Sequence, residues 1–150
     1  MYANVLIPVD GSAGSLAAVD EAIRLAPAVQ KVHLTLVEQS VLRAYQLEGY
    51  VLYADRIVQA RKQAGEDYLQ PLSEKLEAAG IEVTTSVRFG ESSSSIIRAA
   101  RETEADLVLL GGREGGFLAR RTGMAYLAPR LSRNLIASVV TVQERFQKAA

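Results

Sequence analysis

Two short stretches of this 150-residue chain hold residue types that can cradle an anion: Pro8-Val9-Asp10-Gly11-Ser12 and Gly111-Gly112-Arg113-Glu114-Gly115-Gly116. Glycine lets backbone N–H groups come close to phosphate oxygens, and a helix that starts just beyond such a turn adds partial positive charge. Arg113, Arg120 and Arg121 bring formal charge to the second stretch. Each feature also has a structural reading. Paired glycines turn a chain sharply, Asp10 can cap a helix with its carboxylate, and arginines can form a solvated face. Other reactive types are sparse. His33, the single histidine, falls in mid-strand and reads as a packed or hydrogen-bonded strand residue. The serines at 92 to 95 read as helix caps and surface, with phosphorylation as the functional alternative. Tyr45, Tyr50 and Tyr53 read as cover over a core edge. There is no cysteine, which excludes disulfides, thiolate zinc sites, iron–sulfur clusters and a cysteine nucleophile together.

The elements that must position these residues alternate along the chain. Strands are expected at Ala3 to Pro8, Lys31 to Val37, Ile81 to Arg88, Asp106 to Gly111 and Ser138 to Val142. The first loop opens a helix that Pro27 ends, its apolar face built from Leu16, Val19, Ile23 and Ala26. A long helix from about Asp55 to Ala79 stops at Gly80, and Pro71 predicts a kink or short break near Leu69 and Gln70. Between the second strand and that helix, Gln39 to Ala54 is irregular. Further helices are expected at Ser93 to Thr103, capped by a serine, and at Met124 to Arg133, with Pro129 in or near its first turn. Strands alternating with helices mean an α/β domain with a parallel sheet and right-handed crossovers. In such a sheet ligands bind beyond the carboxyl ends of the strands, where the strand order reverses. If the first and fourth strands are neighbours, the two glycine stretches line one cleft.

Composition narrows the classes of function. With 49% hydrophobic and 23% charged residues, the chain suits one globular domain, expected over 1–143 with a short tail at 144–150. Lys plus Arg and Asp plus Glu are 17 each, so no overall field draws the protein to nucleic acid or an anionic membrane. The apolar stretch near the amino terminus is broken by Pro8 and Asp10, and no signal peptide, membrane span or membrane insertion is expected, which reads as a cytoplasmic protein.

Three blocks, in order, resemble the universal stress protein family. NVLIPVDGSAGSLAAV looks like that family's first strand and helix. VRFGESSSSIIRAARETEADLVLLGGREG looks like its third strand, turn, helix and fourth strand, and SVVTV looks like its last strand. The resemblance implies an open, twisted five-stranded parallel sheet in the order 3-2-1-4-5 with helices on both faces. It also implies a site for ATP or another adenine nucleotide with Mg. Pro8, Val9, Asp10 and Val37 match the adenine-side positions, and Gly112 and Gly115 match the first two glycines of the family's nucleotide motif, with Gly111 as an alternative start. The motif continues for nine residues to a Gly followed by Ser or Thr, but here Ala125 and Tyr126 stand at those places. A hydroxyl is missing there and a phenol is added, so the hold on phosphate is expected to be weakened.

The resemblance further implies a homodimer in which the last strands of two subunits pair. Physics agrees, because Val139, Val140, Thr141 and Val142 would otherwise leave an apolar, β-prone edge in water. The expectation is therefore a stress-response regulator that acts through protein contacts with an unidentified partner. The alternative is an ATP-binding regulator whose hydrolysis is absent or very slow. A receiver domain fails on its acceptor positions, where Arg88-Phe89-Gly90 and Gln143-Glu144 stand, and no Walker sequence or G-x-S-x-G elbow is present.

Overall fold

The computed structural model describes residues 1–38, 54–113 and 124–144. Its elements are β1 (Tyr2–Val9), α1 (Ala13–Arg24), β2 (Val29–Glu38), α2 (Ala54–Ala78), β3 (Glu82–Phe89), α3 (Ser92–Glu102), β4 (Leu107–Arg113), α4 (Ala128–Asn134) and β5 (Ser138–Glu144). The five strands form one sheet in the order β3-β2-β1-β4-β5, every pair parallel. Class, order and strand positions match the sequence reading, with each strand end within two residues of its expected place. The irregular piece expected at 39–54 lies outside the described residues except for Ala54, which opens α2, and the tail expected at 144–150 does so except for Glu144, which ends β5.

Both faces of the central strands are covered, which is why β1 and β4 are apolar at successive residues rather than at alternate ones. Val5, Ile7 and Val9 of β1 pack with Ala18, Val19 and Ala22 of α1 and with Leu69, Leu72 and Leu76 of α2. Leu6 points the other way, toward Ile96 and Ala99 of α3 and Leu131 of α4. Burying side chains of this size contributes roughly 2 kcal/mol each. The outermost strand β3 is polar by contrast. Lys31 Nζ sits 2.8 Å from Glu82, and the Ser86 hydroxyl donates to Thr35 Oγ1 at 2.9 Å. His33 bonds Thr84 through Nδ1 and Asn4 through Nε2, as expected of a strand residue. Burial, aided by the Lys31 charge and opposed by Glu82, pulls its pKa below the ordinary imidazole value.

Four local expectations change. α1 ends at Arg24, and Pro27 lies inside a separate 3-10 turn, Ala26–Ala28. Proline disfavours helical backbone at the residue before it, so the α-helix closes earlier, with the Leu25 N–H on Glu21 O. Leu16 is not on the packed face: it is 44% exposed, while Gly14, Ser15, Ala18, Val19 and Ala22 are buried. Small residues let α1 lie close to the sheet, and that rotation turns Leu16 outward. α2 runs through Pro71 without a break. Asp67, Gln70 and Pro71 face solvent, where water can satisfy the carbonyl that proline leaves free, while Leu69, Leu72 and Leu76 anchor both halves. Finally, α3 is capped by Glu91 and not by a serine. Gly80 does take the expected left-handed conformation, φ +85°, after α2.

Candidate functional site

β1 is the strand at which the sheet order reverses. It pairs with β2 from Tyr2 to Val9, but with β4 only at Val5↔Leu107 and Leu6↔Val108. Past Leu6 the two strands part while both continue, which opens a crevice at their carboxyl ends. Pro8 and Val9 are buried in its wall, and the chain then turns through Asp10, Gly11 (φ +83°) and Ser12 into α1.

That turn is held by its own side chains. Asp10 Oδ1 accepts from the Ser12 N–H at 3.0 Å and from the Ser15 hydroxyl at 2.9 Å, and Ser15 Oγ accepts in return from the Asp10 N–H at 3.1 Å. Ser15 is 1% exposed, so the lock is anchored in the core, whereas Asp10 is exposed. Tyr68 of α2 faces the same place. Burial first, and then the negative charge of Asp10, raise its phenol above the ordinary value.

The opposite wall is the end of β4. Gly111 and Gly112 are glycines for steric reasons, visible in what a Cβ would meet. At Gly111 it would fall 1.8 Å from the Gly14 carbonyl oxygen, and at Gly112 it would fall 2.5 Å from the Ala125 Cβ. The first turn of α1 therefore rests directly on β4, which brings the Asp10 turn and the Gly111–Gly112 backbone to the same crevice. The Met124 N–H donates to Gly111 O at 2.9 Å and fastens the returning chain to that wall. Met124 is 3% exposed and Tyr126 is 56% exposed, so the phenol that stands at the expected hydroxyl position is turned largely toward water.

Val37 is 6% exposed and packs with Leu6, Leu110 and Met124 beneath the crevice. Beside it, Glu38 Oε2 and Arg88 Nε are buried without hydrogen-bond partners among the described residues, although the Arg88 guanidinium bonds Glu102 at 2.6 Å through its other arm. Gly115 and the arginines at 120 and 121 lie outside the described residues. Glu91 was missed by the sequence reading. Its carboxylate accepts from the Ser93 and Ser94 hydroxyls at 2.7 Å and from both of their N–H groups, and these bonds hold its pKa down at about 2. Arg130 stands 3.7 Å away on α4. An acid directly before a serine run was the available signal. Among the described residues no cluster of His, Asp or Glu could hold a metal ion, and Asp10 by itself does not make a magnesium site without oxygens from a ligand.

The sequence pattern of the universal stress protein family matches residues 1–140. The chain belongs to that family. It is 26% identical to "Universal stress protein MJ0531" of Methanocaldococcus jannaschii over 148 residues, covering 96% of this chain and 84% of that one. Among solved structures, the hypothetical protein MJ0577 superposes with a TM-score of 0.76 at 14% identity, over 98% of this chain and 99% of the other. A universal stress protein in complex with cAMP aligns with a TM-score of 0.61 at 20% identity, over 95% and 97% of the two chains. A family member from Arabidopsis thaliana with AMP bound aligns with a TM-score of 0.64 at 15% identity, over 95% and 92%. At such identities the structural likeness establishes the universal stress protein fold and nothing finer.

Proposed function

We propose that this universal stress protein is a stress-response regulator that takes an adenine nucleotide in the crevice between the Asp10 turn and the end of β4, and that it works as a homodimer joined along β5. The observation that carries the nucleotide reading is the parting of β1 and β4 beyond Leu6 and Val108, with glycine backbone on one wall and the start of α1 on the other. Backbone amides in such a place suit a phosphate. Family members with cAMP and AMP bound share the fold, which supports an adenine nucleotide as the ligand class. Pro8, Val9 and Val37 would supply the apolar side for a base, and Gly111, Gly112 and Gly115 the backbone for phosphate.

The hold on further phosphates is weak in this reading, because Ala125 offers no donor beyond its backbone and the Tyr126 phenol is turned outward. A monophosphate loses little by that and a triphosphate loses more. Hydrolysis is not part of the reading, since Asp10 Oδ1 is already engaged by Ser12 and Ser15. Magnesium, where a nucleotide brings it, would find Asp10 as a single carboxylate contact. Titration calorimetry with AMP, cAMP and ATP plus Mg²⁺ tests the reading. AMP or cAMP should bind at least as tightly as ATP; an ATP dissociation constant below about 10 μM, tighter than that of AMP, would overturn the weak-phosphate part. Absence of binding by all three would remove the nucleotide itself.

The homodimer part is supported by the edge position of β5 and its run of Val139, Val140 and Val142. Acting through protein contacts, such a dimer would present the two crevices to a further protein partner inside the cytoplasm.

A further inference from the structure

A groove of about 940 Å³ runs between α1 and β5, on the α1 face of the sheet. Ala13, Leu16 and Ala17 line it from the helix, and Val140, Val142 and Gln143 line it from the strand. Its charged end is already satisfied within the chain: Asp20 is 2.5 Å from Lys75 Nζ, and Arg24 pairs with Glu21. What remains unmet is apolar. Leu16 is 44% exposed and Val140 is 43% exposed, and they stand on either side of the same groove.

We infer that this groove is half of a shared core which a second copy of the chain closes, with Leu16 as a helix-borne anchor of the β5 pairing. The inference rests on the homodimer reading given above and goes beyond it, because strand pairing alone requires nothing of α1. Two-fold pairing of one edge strand with itself must be antiparallel. Centring β5, Ser138–Glu144, on Thr141 sets Val140 opposite Val142 of the second copy, and the same pair recurs across the axis. In register with β4, Val140 and Val142 pair with Leu109 and Gly111, whose side of the sheet is the one α1 covers. All four valines then face the α1 side.

The dimensions suit such a core. α1 rests against the end of β4, and β4 of one copy to β4 of the other spans three strand spacings, about 14 Å. Two helices in direct contact lie about 8 to 10 Å apart. The difference is a trough that needs long side chains from both helices, and Leu16 is the large apolar residue that α1 turns toward it. The other edge strand offers no comparable match. β3 exposes Glu82, Thr84 and Thr85, so pairing β5 with β3 of a second copy would set valines against polar groups and leave an open-ended chain.

Two variants separate the anchor from the strand pairing, both measured by analytical ultracentrifugation of the full chain. The protein has no native cysteine, so Thr141→Cys can form a disulfide only between copies. Residues facing each other in an antiparallel pair have Cα atoms about 4.5 to 5.5 Å apart, within disulfide reach. Mild oxidation should yield a covalent dimer. Leu16→Asp changes a half-exposed residue, so the monomer should keep its far-ultraviolet circular dichroism while the dimer dissociation constant rises at least about tenfold. If Thr141→Cys crosslinks and Leu16→Asp dimerises like the parent, the strand pairing stands and the anchor is wrong. A monomeric parent, or a dimer whose Thr141→Cys form does not crosslink, removes the homodimer reading along β5 and the anchor with it.

Discussion

Gly111 and Gly112 at the end of β4, and Gly90 and Glu91 at the end of β3, lie at the same end of the sheet and each precede or receive a helix start. Their tolerances differ. At the end of β4 the glycines exist because backbone and Ala125 already fill the space of a side chain. At the end of β3 a Cβ on Gly90 would meet only the tip of a side chain, the Ser95 hydroxyl at 3.3 Å, the glycine serving a φ of +141°, and an exposed carboxylate organises the turn through hydrogen bonds. One of these strand ends is set by hard contact and the other by charge. Contact does not respond to solution conditions, whereas charge does. Substitutions at the two places should therefore differ in size and in their dependence on pH.

The largest effect is expected at Gly111. A Cβ there would lie 1.8 Å from the Gly14 carbonyl oxygen, and only movement of α1 could relieve it. Gly111→Ala should cost about 3 kcal/mol or more, a fall of roughly 10 °C in melting temperature, at any pH. A variant that melts within about 1 °C of the parent would mean that α1 does not rest on β4, and the shared crevice would go with it.

Gly112→Ala comes next. Here the obstacle is one methyl, the Ala125 Cβ at 2.5 Å, so the cost should be about 1 to 3 kcal/mol. Removing that methyl should return most of it: Gly112→Ala with Ala125→Gly should melt closer to the parent than Gly112→Ala does, beyond the entropic cost of a new glycine. Additive losses in the double-mutant cycle would show that the two residues are not in contact.

These glycines also mark how far the sequence could be read. The alternation of strands and helices was legible because both central strands are continuous apolar runs and the helix stops carry Gly80 and a proline. The strand order and the crevice followed from the family likeness together with the rule for open parallel sheets. What was not legible is which of two glycine functions applied. Gly111 and Gly112 look alike whether the approaching atom belongs to a phosphate or to α1, because a sequence records a missing side chain without recording what fills the gap. Leu16 misled for a related reason: its spacing fits the apolar stripe, but Gly14, Ala18 and Ala22 form a flatter face that packs closer. Glu91 escaped because serine is the commoner cap, and an acid directly before a serine run does not by itself say that its carboxylate will outcompete four hydroxyls.

Glu91 gives the smallest of these effects and the one that depends on charge. It caps α3 by accepting from the Ser93 and Ser94 hydroxyls and N–H groups, so Glu91→Ala should cost about 1 kcal/mol near pH 7, or about 3 °C in melting temperature. Its folded pKa of about 2 lies below the ordinary carboxylate value of 4.5. The ionised form is thus favoured by folding, and its contribution is complete above about pH 4.5 and fades as the pH falls toward 2. The gap between parent and Glu91→Ala should narrow over that window, whereas the gap for Gly111→Ala should not. The Arg130 side chain is 59% exposed and stands 3.7 Å from Glu91, too loose and too wet to set the effect, so Arg130→Ala should leave the gap nearly unchanged and added salt should reduce it little. Thermal melts of the three variants from pH 7 to pH 2.5 test this directly. A Glu91→Ala deficit that persists unchanged at pH 2.5 would show that the residue acts by packing, and the contrast between the two strand ends would fail.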